Sequence, residues 1–267
     1  MEYVFKIGSF GLRWYSLLIA IGLLVGAFVA YREAKRRGDN PEHVFNALLL
    51  ALPLALIGAR AYHVIHQWGA IYSKDPMRVF LINEGGIGIY GAVAGSVLAL
   101  FIYTKWNKLN LWRWLDIGAP GLIIGQAIGR WGNYFNQELY GKPTDLPWGI
   151  YIDPQHRVPG VENFDKFHPL FLYESLLNLL GFVVMLYVAR RFASRLKDGD
   201  IALLYFIIYP IVRLSLETLR LDNWHVGSLP TASIISIVSI VVAGGALLYR
   251  HWLGPRMRAR AGKTAEA

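Results

Sequence analysis

The chain has 267 residues, of which 55% are hydrophobic and only 17% are charged, and it contains no cysteine. An average soluble domain has about 25% charged residues, so this composition indicates an integral membrane protein. The lack of cysteine excludes disulfides and thiolate metal sites within these residues. The net charge of +9 does not indicate a nucleic-acid partner, because the basic residues flank apolar blocks instead of forming one polar face.

Seven apolar stretches have roughly the 17–25 residues that a membrane-spanning helix needs. They are residues 15–31, 44–64, 86–104, 112–129, 169–189, 201–219 and 230–249. The fourth contains Asp116, Pro120 and four glycines, which indicates a helix packed among neighbouring helices. We therefore predict an all-α integral membrane protein: a single polytopic domain, residues 1–267, with about seven transmembrane helices.

The distribution of Lys and Arg predicts the orientation of these helices. With the N-terminus outside, the cytoplasmic segments hold 16 of the 27 Lys and Arg residues, and the outer segments hold nine. Because positive loops are retained in the cytoplasm, we expect the N-terminus outside and the C-terminus inside. A basic cytoplasmic tail occupies about residues 251–267. The segment at about 130–168, which is rich in Trp and Tyr, is expected at the outer face.

Some charged residues lie within the apolar stretches, where each costs at least ~2.5–3.5 kcal/mol at the bilayer centre. Arg60 and His63 lie one turn apart, and a snorkelling arginine beside an interfacial histidine explains them as well as a site does. Arg213, Glu217 and Arg220 have the spacing of one helical face. They are either a self-neutralised ion network or a cation site. Two arginines for one carboxylate leave a positive surplus that suits a lipid phosphate.

A run of polar residues follows the fourth stretch. Residues 129–141, GRWGNYFNQELYG, place an arginine, two asparagines and a glutamate at the predicted membrane boundary. Glycines allow close approach of backbone to a ligand, and amides both donate and accept hydrogen bonds. A polar loop that caps a helix explains only part of this pattern. Residues 168–174, HPLFLYE, open the fifth stretch, where Pro169 is favoured at a helix start.

These segments resemble the signatures of the bacterial prolipoprotein diacylglyceryl transferases. The pattern G-R-x-G-N-[FY]-x-N-x-E-x-x-G matches at every fixed position of residues 129–141. The elements H-P-x-x-L-Y-E and R-x-x-x-E-x-x-R match at residues 168–174 and 213–220, and segments 58–60 and 85–91 match as well. The resemblance therefore extends over nearly the whole chain.

The resemblance implies an enzyme of the bacterial plasma (inner) membrane, with its active site toward the outer face. Members transfer the diacylglyceryl group of phosphatidylglycerol to the lipobox cysteine of a prolipoprotein, forming a thioether and releasing glycerol-1-phosphate. The implied partners are phosphatidylglycerol, the prolipoprotein signal peptide with its lipobox, and the lipid bilayer. The family implies no metal, no other cofactor and no nucleic acid.

The expected site residues combine the resemblance with the charge argument. The arginines would stabilise the departing phosphate, and Glu138 and Glu217 would hold those arginines. The expected catalytic residues are Arg130, Arg213, Glu217, Glu138 and Tyr90. The expected substrate-binding residues are Arg130, Asn133, Asn136, Gly141, Arg220, Tyr15, Arg60, His168, Tyr173 and Glu174.

Tyr90 departs from the pattern of the family. Some members have a histidine there, which has been proposed to assist removal of the thiol proton. A tyrosine with a pKa near ~10 is a poor base at neutral pH. Either Tyr90 only hydrogen-bonds the substrate, or the base lies elsewhere, with His63 and His168 as candidates.

Two other functions fit the same anionic-lipid site. A membrane transporter also has intramembrane charges and interrupted helices, although no second half of this chain mirrors the first. A phospholipid hydrolase would use water as the acceptor, although the sequence contains no G-x-S-x-G element.

Overall fold

A computed structural model describes residues 3–7, 10–81, 85–221, 225–227 and 229–254. Most of the predicted basic tail, from residue 255 onward, lies outside these ranges. The described part is helical apart from three short antiparallel ribbons. They are β1 (Tyr3–Ile7) with β2 (Phe10–Arg13), β3 (Ile150–Tyr151) with β4 (Lys166–Phe167), and β5 (His225–Val226) with β6 (Leu229–Pro230).

Each of the seven predicted apolar stretches overlaps one long helix over most of its length. These helices are α1 (Trp14–Arg36), α2 (Glu42–His66), α3 (Ile89–Trp106), α4 (Leu111–Gly129), α6 (Leu170–Arg191), α7 (Asp200–Ser215) and α8 (Thr231–Leu248). A short helix, α5 (Trp131–Asn136), follows α4. The helical prediction is confirmed, as expected for apolar segments whose backbone must satisfy its own hydrogen bonds in lipid.

Six of the long helices are long and apolar enough to cross a membrane, when the turns that continue α7 to Leu219 and α8 to Leu253 are included. The long helix outside this set is α4. Its buried residues include Trp114, Ile117 and Ile123. This burial agrees with the prediction that α4 packs among neighbouring helices.

The chain divides into two compact units. One is Ala30–Trp114, and the other combines Met1–Val29 with Leu115–Ala267. In the first unit, α2 and α3 pack through small residues. A Cβ atom added to Gly91 would collide with the carbonyl oxygen of Gly58, so the two backbones are in direct contact. Such contacts are typical of small-residue helix pairs in membrane proteins.

In the second unit, α1 and α4 also pack through glycines. A Cβ atom on Gly26 would lie 2.6 Å from the carbonyl oxygen of Gly121, and one on Gly22 would lie 2.9 Å from that of Gly125. The spacing of four residues on each helix places both contacts on one face. The glycine spacing in α4 therefore serves helix packing.

Asp116, a charged residue in the apolar α4, caps the start of α7. Its carboxylate accepts hydrogen bonds of 2.9 Å from the backbone N–H groups of Gly199 and Ala202. These amides have no partner inside their own helix, and negative charge is stabilising at a helix N-terminus. The apolar core beside this cap joins α4, α6 and α7, and it includes Ile123, Met185, Ile201 and Tyr205.

The α5–α6 connection, residues 137–169, is a compact lobe with a small core of its own. Tyr140, Ile152 and Phe167 are buried together, and the β3–β4 ribbon pairs Ile150 with Phe167. Tyr140 belongs both to this core and to the polar run of residues 129–141. The lobe therefore positions the end of that run.

We predict that Gly91→Ala destabilises the protein, because the added methyl group meets backbone that cannot move aside cheaply. Overpacking of this kind costs about 1–3 kcal/mol of unfolding free energy. The matched control is Gly244→Ala in α8, where an added Cβ has no atom within 4 Å. Thermal unfolding of both purified variants in one detergent checks this. Equal melting temperatures would contradict the close packing of α2 on α3.

Candidate active site

The carboxylate of Glu174 binds two arginines that come from different parts of the chain. One of its oxygens forms an ion pair with Nε of Arg130, and the other forms an ion pair with Nη2 of Arg220. Glu174 is only 3% exposed. Charged hydrogen bonds of this kind are among the strongest in proteins, especially away from water.

Local structure explains why these three side chains meet. Arg130 directly follows α4, and Glu174 lies just over one turn into α6, as the sequence predicts. Gly141 forms a bridge with Arg220, and the N–H of Lys142 donates to the carbonyl oxygen of Leu219 at 2.8 Å. These backbone bonds connect the end of the polar run to the chain after α7.

Gly141 is required by the close approach of neighbouring segments. An added Cβ would lie 2.8 Å from Cβ of His168 and 3.0 Å from the carbonyl oxygen of Leu219. The N–H of Gly141 also donates to the carbonyl oxygen of His168 at 2.9 Å. The described contacts of Gly141 therefore serve chain packing around the arginines.

The prediction that Arg213, Glu217 and Arg220 share one helical face is wrong for Arg220. The α7 helix ends at Ser215, a 3₁₀ turn follows at Glu217–Leu219, and Arg220 is extended. Arg213 does form the expected ion pair with Glu217. Because the helix does not continue, Arg220 turns instead to Glu174.

The cluster has a surplus of positive charge in a poorly hydrated place. Three arginines face two carboxylates, and the exposed fractions of the arginine side chains are 22% for Arg130, 16% for Arg213 and 10% for Arg220. Nε of Arg220 and one oxygen of Glu217 are buried without a hydrogen-bond partner among the described residues. A buried cation without a counter-charge is costly, so the arrangement suits an anionic ligand that also carries polar groups.

Glu138 organises the amides of the polar run and does not contact an arginine in the described structure, so the expectation that it holds one is wrong. One of its oxygens accepts hydrogen bonds from the side-chain amides of Asn133, at 2.9 Å, and Asn136, at 3.2 Å. Gln137 and Leu139, on either side of Glu138, have left-handed backbone angles, with φ of 51° and 52°. Such conformations cost about 1–3 kcal/mol and are typical of functional sites.

Tyr15 and the start of α1 pack against α5. A Cβ atom on Gly132 would lie 2.6 Å from Cδ2 of Tyr15, and Trp14 stacks on Phe135 with ring centroids 4.7 Å apart. Tyr15 therefore lies beside the polar run, as its inclusion among the site residues requires.

His168 and Tyr173 form part of a hydrogen-bonded chain with Trp148. The indole N–H of Trp148 donates to the hydroxyl of Tyr173 at 2.7 Å, and that hydroxyl lies 3.3 Å from Nδ1 of His168. The sequence did not predict that Trp148 contacts these residues. An exposed tryptophan in a polar loop was the available signal, since its N–H needs a partner.

Arg60 and Tyr90 belong to the other compact unit. The guanidinium of Arg60 donates five hydrogen bonds, of 2.5 to 3.1 Å, to backbone carbonyl oxygens. The acceptors are the carbonyl groups of Arg78, Val79, Leu81, Gly85 and Gly86. Arg60 is thus buried and organises the loop before α3.

Tyr90 is the second residue of α3 and is 62% exposed. Its ring centroid lies 5.7 Å from that of Tyr62. His63 is close to the glycine-rich segment, since Nε2 of His63 would lie 2.6 Å from a Cβ atom on Gly86. Across the described ranges, no three His, Asp or Glu side chains group closely enough to hold a metal ion.

Comparisons with known proteins identify the family. The family model of prolipoprotein diacylglyceryl transferase matches residues 2–249. The chain is 43% identical to the phosphatidylglycerol–prolipoprotein diacylglyceryl transferase of Chloroflexus aggregans, over 90% of this chain and 85% of the relative. It is 42% identical to the protein of that name from Gloeobacter violaceus, over 95% of this chain and 93% of the relative. It is also 42% identical to the protein of that name from Halalkalibacterium halodurans, over 91% of this chain and 83% of the relative.

The match to the family model covers residues 2–249 and is not limited to the polar run. The chain therefore belongs to the prolipoprotein diacylglyceryl transferase family.

Proposed function

We propose that this chain transfers the diacylglyceryl group of phosphatidylglycerol to the thiol of the lipobox cysteine of a prolipoprotein. The observation that carries this proposal is the pair of arginines, Arg130 and Arg220, on the one buried carboxylate of Glu174. Family membership supplies the reaction, and this positive cluster supplies a place for the lipid phosphate.

The reaction breaks the bond between a glyceryl carbon and a phosphate oxygen, and it forms a bond between that carbon and sulfur. The bonding electrons leave with the oxygen, so negative charge grows on the departing glycerol-1-phosphate, and the proton of the thiol passes to that phosphate or to the solvent. Arg130 and Arg220 stabilise this charge, with Arg213 adding to the local positive potential. The Nε–H of Arg220 is buried without a partner among the described residues, and a bound phosphate oxygen would satisfy it.

Preorganisation is the main contribution that the protein makes to this step. Glu174 and Glu217 orient the guanidinium groups before the substrate arrives, so little reorganisation is needed when charge develops. Asn133 and Asn136, which Glu138 orients, bind the polar headgroup through their remaining amide atoms.

The proposed setting is the bacterial inner membrane, with the site toward the outer face. Six helices have the length and hydropathy for membrane crossing, and we propose α4 as a seventh span within one polytopic domain. The lipid-facing surface would include exposed apolar side chains such as Leu24, Leu49 and Val241. The excess of Lys and Arg supports an outer N-terminus and a cytoplasmic C-terminus. The α5–α6 lobe then lies at the outer face.

Orientation can be tested with single cysteines, because the chain has none of its own. We expect Gln155→Cys, in the α5–α6 lobe, to react with a membrane-impermeant maleimide in intact cells. Ser194→Cys, in the exposed turn after α6, should react only after permeabilisation. The reverse labelling pattern would overturn the proposed orientation.

The transfer itself is tested with purified protein, phosphatidylglycerol and a lipobox peptide containing one cysteine. We expect a diacylglyceryl mass gain on the peptide. Arg130→Lys should lower kcat/KM about 10- to 100-fold, because lysine keeps the charge but has a single nitrogen, which cannot pair with Glu174 and also make a forked contact with the phosphate. The matched control is Arg36→Lys, which alters an ion pair with Glu33 at the end of α1 and should transfer normally.

The same assay separates the alternative functions. Water-dependent release of diacylglycerol without peptide modification would indicate a phospholipid hydrolase. Movement of labelled lipid across the bilayer without cleavage would indicate a transporter. Transfer by Arg130→Lys at the rate of the unmodified protein would refute the role of the arginine cluster, even if the peptide is modified.

A further inference from the structure

A cavity of about 270 Å³ lies between the polar run and the α5–α6 lobe. It has room for roughly nine water-sized groups. Its lining combines one acidic and two amide side chains of the polar run with residues from the lobe and from the chain after α7. The lining residues are Asn136, Gln137, Glu138, Leu139, Tyr140, His156, Val158 and Leu221.

The wall opposite the polar run is held in place by hydrogen bonds that do not use the side chain of His156. Gln137 donates from its amide to the carboxylate of Asp153 at 2.9 Å and accepts from the N–H of Asp153 at 2.6 Å. The hydroxyl of Tyr140 donates to the carbonyl oxygen of His156 at 2.9 Å and accepts from the N–H of Val158 at 2.8 Å. The loop at 153–158 is therefore docked through backbone atoms and the carboxylate of Asp153, and the imidazole of His156 makes none of these bonds.

The polar atoms left over at this cavity match a ligand that donates hydrogen bonds. One carboxylate oxygen of Glu138 accepts hydrogen bonds from the side-chain amides of Asn133 and Asn136. The second carboxylate oxygen has no partner within the described residues. His156 also lines the cavity, and the buried Nδ1 of its ring has no hydrogen-bond partner among the described residues. Carboxylate oxygens and a neutral imidazole nitrogen are acceptors, and small alcohols are ligands that can donate to both.

We propose that this cavity binds the terminal glycerol of the phosphatidylglycerol headgroup, and that His156 determines specificity for its hydroxyl groups. This inference rests on the proposed function, since it places the headgroup of that substrate. Leu221, which lines the cavity, directly follows Arg220 in the chain, so the cavity borders the segment that carries one of the arginines assigned to the phosphate. The apolar residues Leu139, Val158 and Leu221 contact the carbon atoms of the glycerol.

The test compares the binding of three phosphate monoesters to the purified full chain by calorimetry. Glycerol-1-phosphate has two hydroxyl groups, propyl phosphate has a carbon chain of the same length without them, and phosphoethanolamine has an ammonium group. We expect glycerol-1-phosphate to bind about tenfold more tightly than propyl phosphate, as one or two hydrogen bonds to a charged or buried acceptor would give.

His156→Ala should reduce this preference to about twofold or less, with the affinity for propyl phosphate unchanged. The matched control is Gln155→Ala, an exposed residue of the same 3₁₀ turn, which should keep the tenfold preference. His156→Gln, which retains a hydrogen-bonding side chain, should keep part of it. This second variant decides the question if His156→Ala unfolds at a lower temperature than the unmodified protein.

Two results would overturn the proposal: an unmodified protein that binds glycerol-1-phosphate no better than propyl phosphate, or a preference that survives in both His156 variants. Equal or tighter binding of phosphoethanolamine would also overturn it, because the cavity would then select a cation. The transfer assay separates this failure from failure of the proposed function. Peptide modification without a hydroxyl preference refutes only the headgroup cavity, and a hydroxyl preference without peptide modification refutes only the transferase proposal.

Discussion

The contact between the buried carboxylate of Glu174 and the guanidinium groups of Arg130 and Arg220 is the constraint on which the site depends. Burying either arginine without a counter-charge would cost free energy, because the place is poorly hydrated. The one carboxylate offsets this cost for both arginines and still leaves a net positive charge. The three residues come from the end of α4, the first turns of α6 and the chain after α7. Any change that separates these segments therefore alters the site that we propose for the lipid phosphate.

The rest of the second unit holds those three segments in register. Glycines bring α1 against α4, Asp116 caps α7 from α4, and an apolar core joins α4, α6 and α7. The backbone bonds of Gly141 and Lys142 then connect the polar run to α6 and to the segment with Arg220. Left-handed backbone angles on both sides of Glu138 fit this arrangement, because packing around them offsets their conformational cost.

The sequence predicted the long helices well, since apolar length alone specifies them. The charged and amide residues of the polar run were evident beside an apolar stretch, at the predicted membrane boundary. The partners of the individual side chains were harder to predict from the sequence. Helical spacing assigned Arg220 to Glu217 on the assumption that α7 continues, whereas the helix ends at Ser215 and Arg220 crosses to α6. The carbonyl partners of Arg60 and the docking of the loop before Val158 depend on loop conformation, which no periodic pattern encodes.

The most direct test of this account is a double-mutant cycle on transfer, with Arg130→Gln, Glu174→Gln and both together, measured as kcat/KM with the melting temperature of each variant. If Glu174 acts by positioning both Arg130 and Arg220, Glu174→Gln slows transfer less in the Arg130→Gln background than in the unmodified protein, and the coupling free energy is about 0.5–3 kcal/mol. Effects that multiply, with Glu174→Gln slowing transfer equally in either background, would contradict a site built on this carboxylate.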